Sequence, residues 1–122
     1  MDEQVKQALE RDRTIDITTK GRKTGQSHRT EIWFHNIDGH LYIIGAPGRR
    51  SWYANMLAHP EFTFHLKHSA RANLPARATP ILDQARRREI IAAILQKIGG
   101  RRNLEAWVEG SRLVAVELLA AV

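Results

Sequence analysis

The chain has 122 residues, 43% of them hydrophobic, and no cysteine, which suits one ordinary domain with its own core and excludes a disulfide scaffold or a thiolate metal centre. No apolar run nears the roughly 18 residues of a membrane span, and the polar start Met1-Asp2-Glu3-Gln4 is unlike a secretory signal, so the expectation is a single cytoplasmic domain over residues 1–122. Nineteen Lys and Arg against thirteen Asp and Glu leave a net charge of +6, which implies an anionic partner: nucleic acid, acidic lipid or a phosphate-bearing cofactor.

Residues 2–11 predict a short helix, with Val5 and Leu9 one turn apart and Asp2 as N-cap. "TIDITT", 14–19, alternates apolar and polar β-formers and predicts a strand; a basic loop, 20–27, follows. "RTEIWFHNI", 29–37, predicts a second strand. Asp38-Gly39 supplies the two residues of a type I′ hairpin turn, and 40–46 returns as a third strand. Ser51 is the expected N-cap of the helix "WYANMLA", which His59-Pro60 stops because the residue before Pro avoids the α region. Residues 61–67 put Phe62, Phe64 and Leu66 on one face of a fourth strand. Residues 70–81 predict a fifth, broken or bulged at Pro75. Asp83 caps a longer helix with an isoleucine stripe, ended by Gly99-Gly100. A helical turn or two at 103–109 and a final strand at 112–119 complete the chain.

About six strands, the early ones joined by short connections, predict antiparallel neighbours. The helices are too few for a doubly wound parallel sheet. The class is mainly β with flanking helices (α+β), a small antiparallel barrel.

The stretch "KGRKTGQSHR", 20–29, concentrates Lys20, Arg22, Lys23 and Arg29 around Gly21 and Gly25. Backbone N–H groups of such a turn converge on an anion, and Arg22 and Arg29 are suited to two parallel hydrogen bonds to a phosphate or carboxylate. It is not a Walker loop, because the order is Lys-Thr-Gly and a strand follows. A solvated charged hairpin turn remains the alternative.

"TTKGRKTGQSHRTEIWF", then "DGHLYIIGAPG", "WYANMLAHPEFTF" and "ARATPI", resembles the deazaflavin (F420)-dependent nitroreductase and F420H2-dependent quinone reductase family. The resemblance runs from about Ile15 to about Ile81. It implies a split β-barrel of the FMN-binding type and coenzyme F420, an 8-hydroxy-5-deazaflavin, as cofactor. It implies that Arg22, Lys23 and Arg29 hold the coenzyme's phosphate and glutamate tail, with Thr24 and Gly25 beside them. Gly45, Ala46 and Pro47 match the strand end along the deazaflavin ring, and Ser51, Trp52 and Tyr53 the helix start that closes over it. The activity implied is hydride transfer from the reduced coenzyme to a small electron-poor acceptor: a quinone, nitroaromatic or activated alkene. An FMN-binding flavoprotein and a non-catalytic cofactor-binding module are the alternatives. The C-terminal segment lacks the tyrosine that some members place on the substrate side. No catalytic residue is singled out, and a solvent proton suffices for the chemistry.

Six histidines raise the question of a metal. His65 and His68 are expected on opposite faces of a strand, and His28, His35 and His40 only surround one hairpin, so none is expected. Trp33 and Phe34 alternate, so one enters the barrel and a helix covers the other. Trp107 reads as core cover and Arg86-Arg87-Arg88 as a solvated helix face. The expected partner is a small molecule, with no nucleic acid, and the chain is expected as a monomer or weak homodimer.

Overall fold

The computed structural model describes residues 2–45, 50–100 and 102–119. Helix α1, Glu3–Arg11, starts where Asp2 accepts from the N–H groups of Gln4 and Val5, and it buries Val5, Ala8 and Leu9. Strands β1 (Thr14–Lys20), β2 (Ser27–Ile37) and β3 (His40–Gly45) follow as a meander. Asp38 and Gly39 turn between β2 and β3 with φ of 53° and 87°, as a type I′ turn requires. Then come α2 (Ser51–Ala58), β4 (Glu61–Leu66), β5 (Ala72–Pro80), α3 (Gln84–Ile98), α4 (Leu104–Gly110) and β6 (Arg112–Leu118).

The six strands close into an antiparallel barrel in the order β1-β2-β3-β6-β5-β4, with β4 pairing back onto β1. Alternation sorts side chains between two cores. Ile15, Ile17, Phe34, Ile43, Phe62, Phe64, Leu74 and Val114 point into the barrel with α1 and with Trp52 and Met56 of α2. Phe34 and Phe64 meet there edge to face, 5.2 Å between centroids. Tyr42, Ile44 and Leu113 point outward and are covered by Ile91 and Ile94 of α3 and Val108 of α4.

The barrel is not laced evenly. β1 and β2 stay paired from Thr14↔Trp33 to Lys20↔Ser27, whereas β2 and β3 pair only from Ile37↔His40 to Phe34↔Ile43. Beyond Phe34 the two strands part, so residues 27–33 of β2 are paired on one side only among the described residues. This is the split in the barrel, and it positions the site.

Several sequence expectations change. Pro75 causes neither a break nor a bulge: β5 keeps register with Thr63↔Pro75, and the Pro75 carbonyl accepts from Leu119 N–H. Ser51 is the first helical residue of α2, not its cap. Arg50 holds the cap position, and no side chain caps it. Arg87 is not part of a solvated face. It is buried in α3, where its guanidinium donates to the carbonyls of Ile81, Val108 and Ser111. His65 and His68 do not oppose one another: β4 ends at Leu66, and both rings bond outward-facing threonines of β1, Thr18 and Thr14. Phe34 enters the barrel as one of the two aromatics must, but Trp33 stays 46% exposed. No described helix is long and apolar enough to cross a membrane.

Candidate functional site

The basic turn is built by close approach. Gly21 N–H donates to the Gln26 carbonyl at 2.7 Å, and Gly25 N–H to the Gly21 carbonyl at 2.9 Å. Gly25 has φ of 73°, the left-handed region that favours glycine. A Cβ on Gly21 would lie 3.0 Å from His28 Nε2 and 3.2 Å from the Gln26 carbonyl, so any larger residue would push on the turn. The Thr24 hydroxyl accepts from Gln26 N–H.

Asn55 fastens this turn to α2. Its amide oxygen accepts from Arg22 N–H at 3.2 Å, and its amide nitrogen donates to the Thr19 hydroxyl at 3.1 Å. Asn55 is itself buried, so the two bonds hold the turn at a set distance from the helix. Between them lies a cleft of about 710 Å³. Arg22, Lys23 and Thr24 line one side, and Ser51, Trp52 and Tyr53 the other. Trp52 and Tyr53 stand edge to face at 6.0 Å, and the Arg112 guanidinium lies 5.6 Å over the Tyr53 ring. Four cationic side chains reach the cleft, Arg22, Lys23, Arg50 and Arg112, and no described carboxylate lines it. Arg22 and Lys23 form no ion pair among the described residues.

Not every sequence-derived candidate is here. Arg29 points the other way. β1 buries Ile15, Ile17 and Thr19, so its register partners Ile32, Thr30 and His28 face inward and Arg29 and Glu31 face out. Arg29 donates to Asp16 at 2.9 Å, and Lys67 bonds both Asp16 and Glu31. The Lys67 ammonium, then the Arg29 guanidinium, hold the Asp16 carboxyl below its usual range. Gly25 shapes the turn without lining the cleft. Gly45 ends β3 nearby, and a Cβ there would come 3.0 Å from Trp52 Cζ2, so bare backbone lets α2 close down. Ala46 and Pro47 lie outside the described residues.

His28, Thr30, Asn55 and Arg112 line the cleft, and the sequence assigned none of them to a cofactor. His28 and Thr30 were within reach, because carrying the parity of Ile15 and Ile17 across a β1–β2 hairpin selects them over Arg29. Arg112 carried no local signal: it enters through pairing with Gly45 across the β3–β6 contact. Among the described residues no three histidines or carboxylates gather as a metal site.

A second cavity of about 500 Å³ opens at the split and shares Thr30, Arg50 and Trp52 with the first. Trp33 and His35 of β2, Ile44 and Gly45 of β3, Ile98 of α3 and Trp107 of α4 also line it. His35 is 7% exposed, and burial together with the Lys97 and Arg13 charges lowers its pKa to about 4. It is therefore neutral at pH 7.

The same barrel recurs in solved structures of low sequence identity. The heme storage protein HutZ from Vibrio cholerae superposes with a TM-score of 0.73 at 11% identity, covering 98% of this chain and 91% of that one. A FAD-binding protein from Mesorhizobium loti gives 0.67 at 16% identity, covering 98% and 91%. A protein described as F420 reductase gives 0.63 at 17% identity, covering 94% and 93%. These likenesses establish the split-barrel fold of flavin-binding proteins. No curated protein matches the chain in sequence. The profile of the F420H(2)-dependent quinone reductases matches residues 2–116, and the chain belongs to that family.

Proposed function

We propose that the cleft between the basic turn and α2 binds coenzyme F420 and that the protein is an F420H2-dependent reductase of quinone-type acceptors. Family membership supports the cofactor and the reaction class. The observation in this chain that carries the reading is the donor set: Arg22 and Lys23, which form no ion pair among the described residues, face a cleft that no described carboxylate lines. A phosphate and a glutamate tail need several positive partners, whereas a single phosphate needs fewer. Arg22 and Lys23 at the rim hold the acidic tail. Trp52 and Tyr53 flank the ring, and Gly45 at the end of β3 lets Trp52 pack down beside it.

When bound, the reduced coenzyme supplies a hydride, and a solvent proton completes the two-electron reduction of a quinone to its hydroquinone. The protein orients the reactants and keeps water out. Trp52 and Tyr53 supply an apolar wall, Arg112 a fixed positive charge beside Tyr53, and Asn55 the fixed spacing. No side chain need move a proton.

Fluorescence titration of the purified protein tests the reading. F420 is expected to bind more tightly than FMN. Equal or tighter FMN binding would replace it with a flavoprotein, the reading that the likeness to a FAD-binding protein favours. Tight F420 binding without turnover of any quinone would leave a cofactor-binding module.

A further inference from the structure

A third cavity, of about 120 Å³, lies toward the other end of β2 from the cofactor cleft, where the ends of α1 and α3 meet the strand. It shares no lining residue with that cleft. Its volume is room for roughly four waters at about 30 Å³ each, enough for one tetrahedral oxyanion and too little for a flavin-type ring. Three cations border it: Arg11 at the end of α1, Arg13 before β1 and Lys97 in the last turn of α3. Neither arginine forms an ion pair among the described residues. Lys97 donates to the Asn36 carbonyl, which leaves two of its three ammonium protons to give. Of the two carboxylates at the cavity, Asp12 is committed to the N–H and hydroxyl of Ser69, and Glu10 has no partner among the described residues.

His35 of β2 borders the same cavity. It is only 7% exposed, yet its ring makes no hydrogen bond among the described residues. No fully buried side-chain nitrogen or oxygen lacks a partner, so the ring nitrogens reach the open space beside them. A buried polar group without a partner carries a desolvation cost that a ligand's polar atom removes. Burial first, then the Lys97 and Arg13 charges, lower the ring's pKa to about 4. At pH 7 it is neutral, so one nitrogen donates and the other accepts. The cavity thus faces a ligand with cationic donors on one hand and with unspent acceptors, the His35 lone pair and the Glu10 carboxylate, on the other.

We propose that this cavity binds free phosphate, with Arg13 and Lys97 donating to its oxygens and His35 and Glu10 accepting from its P–OH groups. The charge of the anion draws the two cations in. The acceptors then choose among anions. Phosphate keeps one or two protons at pH 7 and satisfies both kinds of partner. Sulfate keeps none, so its oxygens face the Glu10 carboxylate and the His35 lone pair with nothing to donate, and unpaired acceptors of this kind select against it. The bound ion also joins three chain segments, the α1–β1 connection, β2 and α3, that otherwise meet here through few polar contacts. The site is independent of the cofactor cleft and of what that cleft binds.

The test follows the histidine ring signals of the whole chain by NMR at pH 7 while inorganic phosphate is added; the signals missing from His35→Phe are those of His35. Phosphate should shift them, and sulfate should need roughly tenfold more to do so, the worth of one or two hydrogen bonds. Glycerol 3-phosphate should also bind roughly tenfold more weakly, because the cavity has no space for the glycerol. Arg13→Gln, which alters an exposed side chain, should weaken phosphate by roughly tenfold or more. Calorimetry on Arg13→Gln reads the same loss should His35→Phe fail to fold. Movement of other histidine signals alone, His35 signals that stay put up to about 10 mM phosphate, sulfate binding as tightly as phosphate, or full affinity in Arg13→Gln would each overturn the proposal. Equal or tighter binding of glycerol 3-phosphate would give the site to an organic phosphate and overturn the assignment to the free ion.

Discussion

Two arginines seven residues apart separate two fates for a basic side chain. Arg22 faces the cleft with no ion pair among the described residues, and Arg29 faces out against Asp16. Arg22→Ala should weaken F420 binding by roughly ten- to a hundredfold, since a charge-assisted contact is worth about 1.5–3 kcal/mol. The melting temperature of the cofactor-free protein should barely move. Arg29→Ala should leave F420 affinity nearly unchanged, and its exposed ion pair is worth less than about 1 kcal/mol. Titration and thermal melts on the same two proteins decide it; equal losses of affinity would return Arg29 to the binding set. The sequence presented both as one cluster. Only the strand register, with Thr18 opposite Arg29 and Ile17 opposite Thr30, divides them.

At the scale of elements, local signals were legible where they were chemical. Asp2, Asp83 and Asn103 accept from backbone N–H groups at the starts of α1, α3 and α4, and Asp38-Gly39 turns the β2–β3 hairpin. Alternation located β1 and β4, and turn signals with β-forming residues located the other strands. What failed were the Ser51 cap, a local signal displaced by one residue, and inferences that needed a partner element. Pro75 reads as a break, yet β5 pairs through it. Arg87 reads as solvent-facing because its partners, the carbonyls of Ile81, Val108 and Ser111, come from the end of β5 and from α4. That guanidinium ties three chain segments at the helix–barrel junction. Arg87→Ala would strand three buried carbonyls, so urea unfolding should show a loss of about 3 kcal/mol or more. Arg87→Met should not restore it, because a thioether cannot donate. A loss below about 1 kcal/mol would mean that water replaces the side chain.

The whole molecule registers His35 through pH. The ring's ordinary pKa of 6.5 falls to about 4 in the fold, from burial first and then from Lys97 and Arg13. Glu10, Asp12 and Glu31 border the same cavities and do not offset this. The folded state thus binds its proton later than the unfolded chain. This contribution is complete above about pH 6.5, is lost as the pH falls toward 4, and is level below. The span amounts to roughly 3 kcal/mol. As the pH is lowered from 7 to 4, wild-type stability should fall relative to that of His35→Phe, because the variant lacks this slope. Parallel curves would mean that the ring is hydrated in the folded state. Barrel closure itself was only partly legible: antiparallel neighbours in the early meander follow from short loops, but the β1–β4 and β3–β6 seams join residues far apart in sequence and leave no local mark.

The split also sets how the barrel yields under load. Phe34 N–H donates to the Arg13 carbonyl, so by strand alternation the amides of Arg29, Glu31 and Trp33 point away from β1, toward the gap. Every other seam must break ladder bonds to widen. This one breaks none among the described residues. The barrel is therefore least laced along one line, beside residues 27–33 of β2, while β1 behind them stays paired with β4 from Asp16↔His65 to Thr18↔Thr63. Resistance to opening is thus uneven around the barrel: five seams are held by ladder bonds, and the sixth is held at one end only.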